Sequence, residues 1–339
     1  MIHDINASEW QSSDQSCKER PKLGLIGCGN IGGRQAANFL AHGYAVYVYD
    51  IKSHQMSALE AQGAYPTSSC ADLAAQADII FTALPTPDDV LAAVLEGENS
   101  LVQTIQPGSI YIDVTTNSPE IVLQLNKALE PYGVAMLDAP FNDCPVGATS
   151  QQGLGLAVLA SGDPVVFERV EPILKLMADH VLYCGAIGNG TRCKLIHNAI
   201  NAVAVQAVSE GISLGLANGL ELQTIWDALR LGAFGQNAGD IHGLPHYWFS
   251  RRFDDPSQHP AFTIQLLLKD LRLSLQMAQQ SNVPVGHIAL TIQDYEEAER
   301  RGWSHYAASK VRCLQEERAR VTAQGNFSTG KSGNDIVSG

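Results

Sequence analysis

Lys22-Leu-Gly-Leu-Ile-Gly-Cys-Gly-Asn-Ile-Gly32 is the stretch on which the fold turns. A short apolar run, Lys22–Ile26, enters Gly27-Cys28-Gly29-Asn30-Ile31-Gly32, and a helical pattern, Ile31–Ala41, leaves it. The spacing is G-x-G-x-x-G between strand and helix. Gly27 permits a tight turn, Gly29 lets backbone approach a pyrophosphate, and Gly32 lets helix pack on strand. The helix N-terminus offers unpaired N–H donors and the positive end of its dipole to phosphates. A second apolar run ends at Asp50, 18 residues beyond Gly32. A carboxylate there accepts hydrogen bonds from both ribose hydroxyls and repels a 2′-phosphate, so the expected cofactor is NAD, with NADP less favoured. Lys52 softens that preference.

Working outward, strand-like and helix-like runs alternate from Pro21 to about Cys184. Lys22–Ile26, Ala45–Asp50, Asp78–Ala83, Ser109–Asp113, Val134–Asp138 and Leu154–Ala160 read as strands; Ile31–Ala41, Ser57–Ala61, Ala71–Ala77, Asp88–Leu95 and Glu120–Leu129 read as helices. Ser118 and Pro119 form a start signal for the last of these. Such alternation predicts a mostly parallel sheet covered on both faces, a Rossmann-type doubly wound α/β domain. After Cys184 the strands stop. Thr191 to about Asn218 is apolar nearly all round, so burial on several sides is expected, part of it by a partner subunit. Helices follow at about 221–231, 262–280, 286–300 and 305–320. The expected organisation is a flexible N-terminal extension (1–20), an NAD-binding domain (21–187), an all-α domain joined by a long interdomain helix (188–320) and a loose tail (321–339).

Of 339 residues, 45% are hydrophobic and 17% charged, which is a core-forming composition. The formal charge of −13 argues against a nucleic-acid or anionic-membrane surface as the main role. No apolar run reads as long enough to cross a bilayer; the long helix is interrupted by Gly211 and Gly215. The seven cysteines, at 17, 28, 70, 144, 184, 193 and 313, form no C-x-x-C pair, so neither a disulfide framework nor a zinc site is expected. The acidic first twenty residues suit no signal or transit peptide, and a cytoplasmic location is expected.

Two motifs match in letter but not in setting. Gly325-Asn-Phe-Ser-Thr-Gly-Lys-Ser332 has the phosphate-loop spacing, but no strand run precedes it and seven residues follow it. Gly211-Ile-Ser213-Leu-Gly215 has the hydrolase-elbow spacing but falls inside the long helix, where Ser213 sits on no strained turn; its small residues suit close helix packing.

Gly188-Asn-Gly190-Thr-Arg-Cys-Lys194-Leu-Ile-His197-Asn198 begins that helix. Lys194 and Asn198, four apart, share a face. The helix dipole and desolvation both disfavour an ammonium at Lys194 and draw its pKa toward acid–base range, while Asn198 can hold a substrate hydroxyl.

Taken in order, the motifs from Leu23 to about Arg320 resemble the β-hydroxyacid dehydrogenase family, which includes 3-hydroxyisobutyrate dehydrogenase and tartronate semialdehyde reductase. Gly24 to Gly32 looks like the family's cofactor loop, Leu84-Pro85 its turn beside the adenosine, and Asp113-Val-Thr-Thr116 the segment that places Thr116 near the nicotinamide. Asp138-Ala-Pro140 and Gly147-Ala148 frame its substrate loop, Lys194 and Asn198 match its catalytic motif, and Lys269-Asp270-Leu271 its late helix, whose lysine reaches the cofactor site. The resemblance implies hydride transfer between nicotinamide and a small β-hydroxy acid, or a related alcohol or aldehyde, with Lys194 as general acid and base. With the long helix apolar on all sides, a homodimer or homotetramer is expected.

Two positions depart from that pattern. Asn142-Asp143-Cys144 stands where the family has Ser-Gly-Gly around a substrate carboxylate. A carboxylate there is unfavourable at close range. Either Asp143 points away, or the substrate lacks that carboxylate or carries a cation, or Arg192 and a neighbouring subunit compensate. Lys194-x-x-His197-Asn198 is similar to 6-phosphogluconate dehydrogenase, which raises oxidative decarboxylation as the alternative. An imine reductase of the same fold usually replaces the lysine, and a non-catalytic nucleotide-binding regulator need not keep it.

Overall fold

The computed structural model of the chain describes residues 20–143, 155–232, 260 and 262–322. Residues 1–19 of the N-terminal extension, Cys144, Gly147-Ala148, the 325–332 pattern and nearly all of the 321–339 tail lie outside the described residues, as does the side chain of Asp143. The chain divides into two compact units, one ending at His197 and the other beginning at Asn198.

The first unit is built on β1 (Leu23–Ile26), α1 (Asn30–Ala41), β2 (Val46–Tyr49), α2 (Ser53–Glu60), β3 (Tyr65–Pro66), α3 (Cys70–Ala74), β4 (Ile79–Thr82), α4 (Pro87–Val94), β5 (Ile110–Asp113), α5 (Pro119–Leu129) and β6 (Ala135–Asp138). It continues with β7 (Phe141–Asp143), β8 (Leu156–Gly162), α6 (Pro164–Met177) and β9 (His180–Tyr183). The sheet order is β3-β2-β1-β4-β5-β6-β8-β7, with β9 beside β8. Strands β1 to β6 are parallel, whereas β8 runs antiparallel to both β6 and β7. The Rossmann-type, mostly parallel sheet is therefore as expected.

Alternation along each strand divides the core. Leu23, Leu25, Val46, Val48, Ile79, Phe81, Ile110 and Ile112 face one side. Ile26, Ile80, Tyr111 and Met136 face the other. On the first side Phe39 of α1 packs its ring 5.3 Å from that of Phe81. Burial of such a side chain contributes about 1.5–3 kcal/mol. Pairing of Ile26 with Tyr49 and Thr82, and of Thr82 with Asp113, ends β1, β2, β4 and β5 level. The loops that follow these strands are thereby brought to one sheet edge.

Elements β3, β7, α6 and β9 have no counterpart in the sequence expectations. The two-residue β3 and three-residue β7 are too short to show a period. In α6 a proline at 172 interrupts the helical pattern, yet Asp163 caps the start and Phe167, Val170, Ile173, Leu174 and Met177 enter the core.

α7 (Asn189–Ala217) crosses from one unit into the other. It is 29 residues long, with a mean hydropathy of 1.3 over an 18-residue window, and so is long and apolar enough by length and composition to cross a membrane. That corrects the expectation that no run reaches such a length: Gly211 and Gly215 do not interrupt the helix. Burial is also less than expected, a third of the window. The second unit adds α8 (Leu222–Leu231), α9 (Ile264–Gln280), α10 (Gly286–Arg300) and α11 (Arg312–Ala319). Ala199 and Ala202 of α7 pack with Leu267, Leu268, Ile292 and Tyr295 of α9 and α10. Gly215 admits Ile225 of α8 so closely that a Cβ there would meet its Cδ1 at 2.5 Å; Gly211 has nothing within 4 Å. Ser213 is buried in mid-helix, so the elbow motif has no turn to present it.

Candidate active site

The strand-edge loops carry the nucleotide residues predicted for the first unit. Gly27 has φ +93°, and a Cβ on it would meet the Ala83 carbonyl oxygen at 2.4 Å; one on Gly32 would meet the Gly27 carbonyl oxygen at 1.8 Å. Nothing lies within 4 Å of the corresponding point on Gly29, and Gly29 and Asn30 are exposed. Two glycines are thus fixed by packing and one faces open space, the arrangement a pyrophosphate requires. No side chain caps α1 after Gly29, and its first turn carries no acidic residue, so its N–H groups suit an anion. Ile31 is half-buried behind them. Asp50 holds its carboxylate beside the loop: Oδ2 accepts from the Cys28 N–H at 2.8 Å and Oδ1 from the Lys52 N–H at 2.8 Å. Each oxygen keeps acceptor capacity for a ribose hydroxyl. Burial, with Asp50 nearby, pushes the Cys28 thiol up to about 12, so it is inert.

The loops bearing Leu84, Pro85 and Thr116 share one buried network. Thr82 Oγ1 donates to Asp113 Oδ1 at 2.9 Å. Its single proton being so used, the 2.7 Å contact has Tyr111 OH donating to Thr82. Asp113 also accepts from Thr115 N–H and Asn117 Nδ2, both at 3.0 Å, and Thr115 Oγ1 accepts from Leu84 N–H at 3.0 Å. One carboxyl therefore positions both loops. Burial raises its pKa despite these donors. A raised carboxyl stabilises the fold fully below the ordinary carboxylate range and loses that contribution as pH rises through its folded value. Asp113→Asn imitates the protonated form. Urea unfolding from pH 4.5 to 8 is expected to show a flatter decline of stability for the variant than for the wild type; equal slopes would place the titration elsewhere.

Asp138, at the end of β6, anchors the start of α7. Its Oδ1 accepts from Gly188 N–H at 2.8 Å, its Oδ2 from Thr191 N–H at 2.7 Å, and Ser161 of β8 hydrogen-bonds it while accepting from Gly190 N–H at 2.9 Å. Burial raises the Asp138 pKa as well, against those bonds. A Cβ on Gly190 would meet the Leu159 carbonyl oxygen at 2.1 Å. In sequence Asp138 reads only as the frame of a loop, because its partners lie 23 to 53 positions away. The Asp138 carboxyl and satisfied N–H groups thus occupy the helix end whose dipole was expected to act on Lys194. Lys194 is buried, only 7% exposed.

Asn198 belongs to the second unit and is also buried. Its Nδ2 donates to Asp270 Oδ2 at 2.7 Å, and Lys269 Nζ lies 3.2 Å from Asp270 Oδ1. Asp270, itself buried, is the positioning residue that sequence reasoning did not assign, although it stands beside a lysine that it did. His197 lies on the exposed side of α7. Arg192 Nη1 donates to Asn189 Oδ1 at 3.1 Å within its own helix turn. On β7, which pairs Asn142 with Ala157 and Asp143 with Leu156 of β8, Asn142 Oδ1 is buried and has no hydrogen-bond partner among the described residues. Among the described residues no three His, Cys, Asp or Glu side chains converge to hold a metal ion.

A family profile described as the NAD binding domain of 6-phosphogluconate dehydrogenase matches residues 22–185. A second, described as NAD-binding of NADP-dependent 3-hydroxyisobutyrate dehydrogenase, matches residues 188–312. The chain is 27% identical to mouse mitochondrial 3-hydroxyisobutyrate dehydrogenase, over 89% of this chain and 90% of that one. It is 29% identical to the NAD-dependent L-serine dehydrogenase of Pseudomonas aeruginosa, over 80% and 90%. The solved structure of Mycobacterium tuberculosis 3-hydroxyisobutyrate dehydrogenase with L-serine shares the fold, with a TM-score of 0.74 at 23% identity over 87% of this chain and 99% of that one.

Proposed function

The chain belongs to the β-hydroxyacid dehydrogenase family, and from that membership we propose an NAD-dependent oxidoreductase that uses Lys194 as proton carrier for a small 3-hydroxy acid or related alcohol. The observation that carries the reading is a lysine withdrawn from solvent, 7% exposed, one turn from a buried asparagine on a helix whose start is fixed by Asp138. Bound nicotinamide supplies the hydride acceptor or donor. Lys194 Nζ, as the neutral amine, takes the hydroxyl proton; as ammonium it returns one to the carbonyl oxygen. Asn198, oriented through Asp270, is the proposed partner of the hydroxyl, and Lys269, beside the same carboxylate, is the proposed cofactor-binding lysine of the second unit. Gly27, Gly29, Asn30, Ile31, Gly32 and Asp50 hold pyrophosphate and ribose, while Leu84, Pro85 and Thr116 flank them. Asp50 favours NAD over NADP.

Asn142, Asp143 and Cys144, which replace the family's Ser-Gly-Gly, are proposed as the substrate-binding residues. The buried, undonated Asn142 Oδ1 favours a substrate that presents a hydroxyl or ammonium there. Activity is measured by the reduced-nicotinamide absorbance with a panel of 3-hydroxy acids and amino alcohols, L-serine included. At least one class is expected to turn over with NAD, and its kcat/KM is expected to move about fivefold in Asp143→Gly, about 1 kcal/mol for one screened charge. Inactivity on every member would refute the dehydrogenase reading; unchanged kcat/KM would remove Asp143 from the pocket.

The oligomer is proposed as a dimer or tetramer through α7. Ile196, Ile200 and Leu214 on that helix are 49%, 65% and 67% exposed, more apolar surface than a lone chain ordinarily leaves on one helix. Light scattering is expected to give at least twice the chain mass, reduced by Ile200→Asp; a wild-type monomer at micromolar concentration would end the idea.

A further inference from the structure

The peptide between Tyr49 and Asp50 is the last rigid unit before the Asp50 carboxylate, and hydrogen bonds hold it at both edges. Tyr49 O accepts from Gly27 N–H at 2.8 Å and from the Cys28 thiol at 3.7 Å. Across the same plane, Asp50 N–H donates to the Met56 thioether sulfur at 3.3 Å. In a trans peptide the oxygen and the hydrogen lie on opposite sides, so the two sulfurs grip the plane between them. We infer that Met56 is a positioning residue for cofactor choice: it fixes the peptide that aims the Asp50 carboxylate and thereby sets the preference for NAD over NADP. The effect on cofactor choice rests on the proposed role of Asp50 at the ribose.

The end of the sheet explains why a side chain is needed there. Pairing of β2 with β3 stops at Val48, opposite Pro66, and Thr67 N–H takes the Val48 carbonyl. The Asp50 N–H lies beyond that pairing and goes to a side chain. A backbone donor without an acceptor in a half-buried turn is costly, and its peptide is left free to rotate. Met56 stands in the opening turn of α2 and packs, half-buried, against the core that contains Val46, Val48 and Leu59. Packing thus presents a weak acceptor at a fixed place. On the other edge, burial pushes the Cys28 thiol up, so it stays protonated and able to donate.

Rotation of this plane turns ψ of Tyr49 against φ of Asp50 and swings the Asp50 side chain with it. The carboxylate oxygens each take one backbone N–H, from Cys28 and from Lys52, both at 2.8 Å. Those two bonds orient the carboxylate about its own side-chain torsions, whereas the gripped peptide sets where its Cα stands. Acceptance of two ribose hydroxyls, and exclusion of a phosphate on one of them, requires the carboxylate to be held within about 0.5 Å. A looser peptide lets it move aside, which weakens the ribose bonds of NAD and relieves the repulsion of NADP together. Met56 lies six positions beyond Asp50 and Cys28 lies 22 before it, so only the fold brings the two sulfurs to one peptide.

The test titrates the full chain with NADH and with NADPH by fluorescence and reads the ratio of their Kd values. Met56→Leu keeps the volume and removes the acceptor. It is expected to lower the NADPH-to-NADH Kd ratio about fivefold, the worth of one net hydrogen bond. Met56→Gln, whose amide oxygen can accept the Asp50 N–H, is expected to hold the ratio within about twofold of wild type. A merely structural role would weaken both cofactors alike and leave the ratio where it was. A ratio unmoved or raised in Met56→Leu, or one that falls as far in Met56→Gln, would overturn the inference. Asp50→Ala separates the two levels. An unmoved ratio in that variant would remove Asp50 from the ribose whatever Met56→Leu showed; a collapsed ratio beside an unmoved Met56→Leu would keep Asp50 and remove Met56 alone.

Discussion

Lys194→Ala is expected to lower kcat by roughly 10³-fold, within the usual span for loss of a positioned acid–base group, and to leave the Kd for NAD within about threefold of wild type. The separation follows from where the lysine stands. It is buried on α7, while the pyrophosphate loop, Asp50 and the Leu84–Thr116 network belong to the sheet edge and do not depend on it. Lys194→Arg should be nearly as inactive, since a guanidinium keeps the positive charge but cannot give up its proton near neutral pH. Fluorescence titration of the cofactor and steady-state rates decide the matter. Turnover within tenfold of wild type in the alanine variant would remove the lysine from the chemistry.

Gly190→Ala is expected to cost about 2–3 kcal/mol of stability, because the added methyl meets backbone and not a side chain that can turn aside. The Leu159 carbonyl oxygen at 2.1 Å belongs to the middle of β8 and cannot move without breaking the ladder. Asp138 Oδ2 at 3.0 Å blocks the other direction. The helix start must back away, leaving the Gly188 and Thr191 N–H groups and the Asp138 carboxyl poorly paired. Gly211→Ala, on the same helix with open space around it, should instead gain up to about 1 kcal/mol in the isolated chain. Thermal unfolding of the two variants side by side should separate them in sign. A Gly190→Ala protein that melts with the wild type would show that the contact at β8 is not tight.

These two glycines illustrate what could be read from the chain. Gly27 to Gly32 announced itself, because strand, turn and helix are contiguous and each glycine has a local reason. The alternation of Leu23, Leu25 and Ile26, or of Ile79 to Phe81, likewise reveals a two-faced strand within a few residues. Gly190 was legible as part of a motif but not as a packing contact, since Leu159 and Asp138 reach it across a sheet. The same distance hid Asp113 as the shared support of two loops, and Asp270 as the bond between Asn198 and Lys269. Helix α6 was obscured by Pro172, and β7 by its three-residue length.

Asp138 also has a bearing on descent. One carboxyl serves donors from a strand, a turn and a helix, and Ser161 and Gly190 fit only around it. Drift at any one of the three leaves the other two without purpose, so they should be inherited as a block. A homologue that has exchanged Asp138 while keeping Gly190 and Ser161 would mark a lineage in which the start of the long helix has been rebuilt, and there the lysine four residues along ought to be the next position to vanish.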